Sequence, residues 1–321
     1  MILVKTSHNH VWNPAQVVAE IIAEYQTCGK AVISLNSEGP CCDAVKLYEL
    51  LNQVCNLFGF DKRQITIQTW NVEELHPEYT IQMMPQSWHV TALRTANAHG
   101  YSAGNFRNKK TPTNNLFGCM YNIPSWNRLS LLSYIKYQCS RPSLLACNGT
   151  WEPDQHNSYY LNPVTDFCPE EFGNISRLLN DGINPLPNHP GHKPNEVENT
   201  VILSFYNEFF IDVVAETYTN GLTFFPTEKT FRPIYGLTPF ITFGPQGFLS
   251  TLRSTWGFRT FDKWWDESYD DCQNYERIKQ MYQIIKSIDC LSDLELNEMY
   301  VDMQSTLDHN YNILLEINKW K

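Results

Sequence analysis

The chain has 321 residues, 42% of them hydrophobic and 13% aromatic, which is enough for two domains of ordinary size with their own cores. Disorder as the main state is excluded, because a disordered chain is poor in such residues. Lys and Arg number 24 against 34 Asp and Glu, a net charge of −10. That balance excludes nucleic-acid binding by bulk charge and makes a polyanionic membrane surface a poor partner.

The opening MILVKTSHNHVW lacks the apolar core and cleavage site of a signal peptide. No run approaches the ~18 apolar residues of a membrane span. The 10 cysteines show no C-x-x-C spacing, and only Cys41 and Cys42 are adjacent. They read as reduced core thiols of a cytoplasmic protein. The sequons at Asn148 and Asn174 are then chance matches.

Asn13-Pro14 opens a helix over AQVVAEIIAEYQ. AVISL, bounded by Gly29 and the turn Asn36-Ser37-Glu38-Gly39-Pro40, is a buried strand. DAVKLYELLNQVCNLFGF is an amphipathic helix stopped by Gly59, and ITIQTW is the next strand. Strand, helix and strand make a βαβ unit, hence a parallel sheet with covered faces. Residues 101–115 are polar and carry the basic cluster Arg107, Lys109 and Lys110, as expected of a linker or a solvated loop.

LFGCMYNI restarts as a strand, and Pro124 to Arg128 lead into the helical run LSLLSYIKY. Residues 148–196, rich in Asn, Pro and Gly, read as a surface-loop insertion with little periodic structure. VILSFY is a strand or the end of a loop. FIDVVAET is apolar and β-branched, and LTFFPTEKTFRPIYG is a strand or loop feeding a short helix. TPFITFGP is a buried strand, FLSTLRSTWG a helix with its Gly stop, and the remainder from Asp266 is helical. The expected organisation is an α/β domain at 1–110, a second at 111–290 and a helical tail at 291–321. A ligand site belongs at the carboxyl ends of the strands.

The most informative stretch is Val213-Val214-Ala215-Glu216-Thr217 followed by Thr227-Glu228-Lys229. A buried strand ends in an acid, and Thr227 can cap the next helix. The positive helix end and Lys229 favour a diphosphate, and Glu216 and Glu228 can accept from ribose hydroxyls. The same residues also fit an ordinary cap with a solvated Glu–Lys pair.

The segment ETYTNGLTFFPTEKTFRPIYGLTPFITFG resembles the nucleotide-sugar-binding region of the α-1,3-fucosyltransferase family. The residues carrying it are Glu216, Thr227-Glu228-Lys229 and Pro239-Phe240-Ile241-Thr242-Phe243-Gly244. GFRTFDKWWDESYDD is similar to uncharacterised glycosyltransferase-like proteins of bacteria and large bacteriophages. The likeness spans roughly residues 115–290, and Ala-Glu-Thr stands where the fucosyltransferases carry Glu-Asn-Ser. It implies a GT-B fold, two Rossmann-like domains facing a cleft, with nucleotide held by Glu228 and Lys229 and more weakly by Glu216. It also implies a diphosphate-binding Arg, matched here by Arg128.

That family performs glycosyl transfer from a nucleotide-sugar donor without a metal or other cofactor. An inverting enzyme needs a general base from the first domain. Glu38, in the turn after AVISL, is the first choice, Asp43 the second, and Glu73 and Glu74 after ITIQTWN the third. The implied acceptor is a glycan, a lipid-linked sugar, or hydroxymethylated cytosine in phage DNA. In the last case Arg94, Arg107, Lys109 and Lys110 would form the local basic strip, in a host cytoplasm. His8-x-His10 and His189-x-x-His192 have no acid or Cys at metal-site spacing. Dinucleotide, P-loop and nucleophile-elbow glycine motifs are absent. The alternative is a non-catalytic nucleotide-binding or partner-binding module derived from such a transferase.

Overall fold

A computed structural model describes residues 2–4, 13–35, 41–43, 45–69, 71, 74–83, 100, 102–107, 114–122, 124–147, 169–185, 201–216, 219, 224–272 and 274–317. The chain divides into two compact units. The first is Met1–Gln86 with Asn220–Phe225, and the second is Ser87–Thr219 with Pro226–Lys321. Each holds one four-stranded, all-parallel sheet flanked by helices.

In the first unit the strands β1 (Ile2–Val4), β2 (Ala31–Leu35), β3 (Ile65–Thr69) and β4 (Thr80–Met83) stand in chain order. Helix α1 (Pro14–Cys28) starts where the Asn13 side chain accepts from the Gln16 N–H, with Pro14 in the first turn. It stops at Gly29, whose φ of 66° only glycine adopts without cost. Helix α2 (Leu47–Phe58) buries Leu47, Leu51 and Val54. Val17 and Ile21 of α1 join them over Ala31, Ile33, Leu35, Ile65 and Ile67. Among the described residues, the helices pack on this face of the sheet. On the other face Ser34 is buried and Val32, Thr66 and Gln68 are half-buried.

The second unit begins with the short helix α3 (Ala103–Arg107). Phe106 on α3 is fully buried against Tyr235, so this stretch belongs to the second unit and not to a linker before residue 110. The strands are β5 (Asn115–Tyr121), β6 (Ser143–Cys147), β7 (Phe209–Ala215) and β8 (Phe240–Phe243), in the spatial order β6-β5-β7-β8. Helix α4 (Trp126–Gln138) joins β5 to β6. Helix α5 (Pro169–Asp181) lies inside the stretch expected to be loop, its apolar Ile175 and Leu178 buried. Residues 201–204 are helical, so VILSFY is no strand.

β7 is buried along its whole length, which its uninterrupted apolar run requires of a central parallel strand. Helices α6 (Glu228–Tyr235), α7 (Phe248–Trp256), α8 (Asn274–Asp289) and α9 (Asp293–Ile317) complete the unit. α9 is not a free tail. Asn310 bonds both the N–H and the carbonyl of Arg259, and Tyr311 packs on Tyr235. Among the described residues no helix is long and apolar enough to cross a membrane.

Candidate functional site

The order β6-β5-β7-β8 places a reversal between β5 and β7. From β5 the chain steps one way to β6, then returns past β5 to β7 and β8. At such a reversal the loops leaving the two strands diverge and open a crevice at their carboxyl ends. The residues that follow β5 and β7 are those the sequence singles out.

Arg128 sits in the first turn of α4, just after β5, and is 5% exposed. Its Nη2 donates to the carbonyl of Ala215, the last residue of β7, at 3.4 Å. Its guanidinium lies 5.8 Å from the centre of the Tyr121 ring at the end of β5. Asn127 donates to Thr219 Oγ1 at 2.6 Å. The start of α4 is thereby tied to the segment leaving β7.

Glu216 follows β7 directly and is buried. Its Oε1 accepts from the Thr227 N–H at 3.1 Å and from Thr230 Oγ1 at 2.5 Å, and its Oε2 from Thr227 Oγ1 at 2.5 Å. Burial pushes its carboxyl upward in pKa, against Lys229 and the two threonines. Glu216 is thus a clamp between the end of β7 and the start of α6, with both oxygens already engaged. That differs from its expected role as an acceptor for ribose hydroxyls.

Thr227 is the N-cap of α6, accepting from the Lys229 N–H. The first-turn amides are used internally. The Thr230 and Phe231 N–H groups go to the Thr227 carbonyl. The Lys229, Thr230 and Phe231 N–H groups are thus all bonded to Thr227. Lys229 Nζ lies 2.9 Å from Glu228 Oε1 and 3.2 Å from Thr227 Oγ1. Arg232 Nη2 is 3.8 Å from the same Glu228 oxygen. Burial opposes ionisation of Glu228, but Lys229 and Arg232 outweigh it and hold the carboxyl down at about 2.

Arg277, on α8, was not singled out by the sequence reading. It is 3% exposed and donates to the backbone carbonyls of Thr219, Gly244 and Cys272. Thr219 follows β7 and Gly244 follows β8, so Arg277 binds the carboxyl ends of two neighbouring strands together. Its signal is positional. Arg277 falls in register with Met281, Ile284, Ile285 and Ile288, the buried stripe of α8.

GFRTFDKWWDESYDD is a brace. Asp270 accepts from the Leu249 and Ser250 N–H groups and caps α7. Glu267 accepts from the Phe261 N–H at 2.8 Å and pairs with Arg253 at 3.0 Å. Tyr269 accepts from the Thr242 N–H in β8.

Of the first-unit acids, Glu38 and Glu73 lie outside the described residues, as do Arg94, Lys109 and Lys110. Arg107 is the last residue of α3. Asp43 is exposed in the turn before α2. Glu74, after β3, is buried and accepts from the Cys42 N–H, Tyr48 Oη and Asn71 Nδ2 at 3.0, 2.8 and 3.3 Å. Burial, then the nearby Glu74, pushes the Cys42 thiol up. Asn71 Oδ1 accepts from the Phe224 N–H at 2.9 Å, within the first unit.

Among the described residues no three His, Cys, Asp or Glu side chains gather as a metal site. His8, His10, His189 and His192 lie outside them. No family model, curated protein or solved structure matches the chain.

Proposed function

We propose that the chain is a metal-independent glycosyltransferase of GT-B type, with its donor nucleotide bound by the second unit. The observation that carries this reading is the convergence of Arg128 and the Thr227-Glu228-Lys229 corner on the end of β7, at the sheet's reversal. Arg128 and Lys229 bring two cations to the carboxyl end of β7, the end at which open α/β sheets bind ligands. Lys229 and Arg128 neutralise the diphosphate, and Glu228, ionised throughout the physiological range, accepts from ribose hydroxyls.

In the inverting form, the acceptor oxygen forms a bond to the anomeric carbon and passes its proton to a first-unit carboxylate. The carbon–oxygen bond to the diphosphate breaks, and the electron pair leaves with the nucleoside diphosphate. Lys229 and Arg128 stabilise that growing charge. Glu38 remains the proposed base, with Asp43 second. Glu74 is unsuited, because three donors already occupy its oxygens. The acceptor is a glycan or hydroxymethylated cytosine in phage DNA.

The test is release of nucleoside diphosphate from a panel of nucleotide sugars, with glycans or hydroxymethylcytosine-containing DNA as acceptors. Lys229→Ala is expected to lower kcat/KM at least about tenfold, equivalent to about 1.4 kcal/mol of transition-state stabilisation. The second reading is a non-catalytic nucleotide-binding module, favoured by the internal engagement of Glu216 and Glu74. Nucleotide binding without turnover on any acceptor would establish it in place of the first.

A further inference from the structure

The second unit carries a separate groove of about 370 Å³ between α8 and the turn that precedes it. This volume lies within the range of small-molecule sites. One wall is a single strip of α8. Glu276, Gln280, Gln283, Ile284 and Ser287 recur at helical spacing, over about 16 Å at the helical rise per residue. The other wall is Trp264, Trp265, Asp266 and Ser268.

The walls are held from behind. Trp264 Nε1 donates to Asp302 of α9 at 2.8 Å, and Trp265 packs on Phe261 with ring centres 5.2 Å apart. Asp266 accepts from the Ser268 N–H, and Glu267, the next residue, is fixed by Arg253. Ser268 Oγ reaches Gln280 Oε1 at 3.4 Å, so the two walls meet at that end. The groove is therefore preformed.

Its chemistry narrows the ligand. No Lys or Arg lines it, and two carboxylates do, which opposes a phosphate, a nucleotide or nucleic acid. Amides, hydroxyls and carboxylates make up most of the lining, which opposes a purely apolar ligand. The pull on a cation is reduced, because Asp266 already accepts from a backbone N–H and Glu276 lies 3.9 Å from Lys279. What remains is a neutral molecule with apolar C–H faces and a rim of hydroxyls. Of the two indoles, Trp265 is buried and Trp264 is half-buried with Lys263 Nζ 5.2 Å from its ring centre. The remaining face of Trp264 is the one that can pack on a sugar, while amides and carboxylates bond the rim in both directions.

We propose that this groove is a saccharide-binding site for a neutral oligosaccharide, separate from the site at the end of β7. Its length suits several linked sugar rings better than one. The proposal stands whether or not the chain transfers sugars.

The test is binding of the full chain to a glycan array, with saturation-transfer NMR on maltotriose, cellotriose and triacetylchitotriose, and spermidine as the cationic control. At least one neutral oligosaccharide is expected to bind saturably. Trp264→Ala should abolish that binding. Gln283→Ala, an exposed change on α8, should weaken it at least threefold with the melting temperature unchanged. Absence of saturable binding to any glycan overturns the proposal, as does binding that both variants leave intact. Spermidine binding without saccharide binding overturns it in favour of a cation site.

Discussion

Glu267 shows what a buried charge does in this protein. Burial is the largest influence on its carboxyl and raises it from 4.5 to about 7, despite Thr260, the Phe261 N–H and Arg253. The folded state therefore favours the neutral acid. Its stabilising contribution is complete below about pH 4.5 and is lost as pH rises through about 7. Glu267→Gln keeps an acceptor for the Phe261 N–H and never ionises. Between pH 4.5 and 8 the wild type is expected to lose up to about 3 kcal/mol relative to this variant. Urea denaturation across that range measures it, and parallel stability profiles would refute it. Glu228 runs the opposite way. Lys229 and Arg232 hold it at about 2 against burial, so its contribution is present above 4.5 and fades only in strong acid.

At the scale of elements, the contact between β5 and β7 has a steric condition. A Cβ added at Gly118 of β5 would lie 2.6 Å from the ring of Phe209, the first residue of β7. That ring is fully buried and also packs on Tyr206, so it has nowhere to move. Gly118→Ala is expected to destabilise the second unit by roughly 1–3 kcal/mol through overpacking. The urea midpoint checks this, and an unchanged midpoint would mean that the strands part without cost.

The elements flanking this contact were legible because several signals agreed at each. β7 is a continuous apolar run, and α6 has Thr at its cap, Glu in its first turn and Gly at its end. Less was legible where one signal stood alone. β1 has three residues and β6 is half-buried along most of its length, so neither offers a pattern longer than chance. α5 is hidden because its flanks are rich in Asn, Pro and Gly, although its own apolar residues keep helical spacing. The roles of Glu216 and Arg277 depend on partners many residues away. A local reading finds an acid after a strand and an Arg on a helix. It does not find what they hold.

For the whole molecule, the connection from β7 to α6 is the informative feature. It leaves the second unit after Thr219, contributes Asn220–Phe225 to the first and returns at Pro226. Glu216 and Thr227, both in the second unit, are joined by two hydrogen bonds. A chain break inferred from composition near residue 110 misses such an arrangement, because it is made by contacts distant in sequence. Glu216 ties the end of β7 to Thr227 and Thr230 at the start of α6, so the backbone that carries the proposed donor corner is braced by side chains of its own unit. Such preorganisation favours binding, since little remains to be ordered on association.

The central claim is that this corner binds a nucleotide. Thermal denaturation of the wild type and of Lys229→Ala, with the UDP, GDP, CMP and dTDP series of nucleotides and nucleotide sugars, tests it most directly. One series is expected to stabilise the wild type by about 2.7 kcal/mol at a hundredfold excess over Kd, and to leave Lys229→Ala unshifted. No shift with any nucleotide, or an equal shift in the variant, would contradict it.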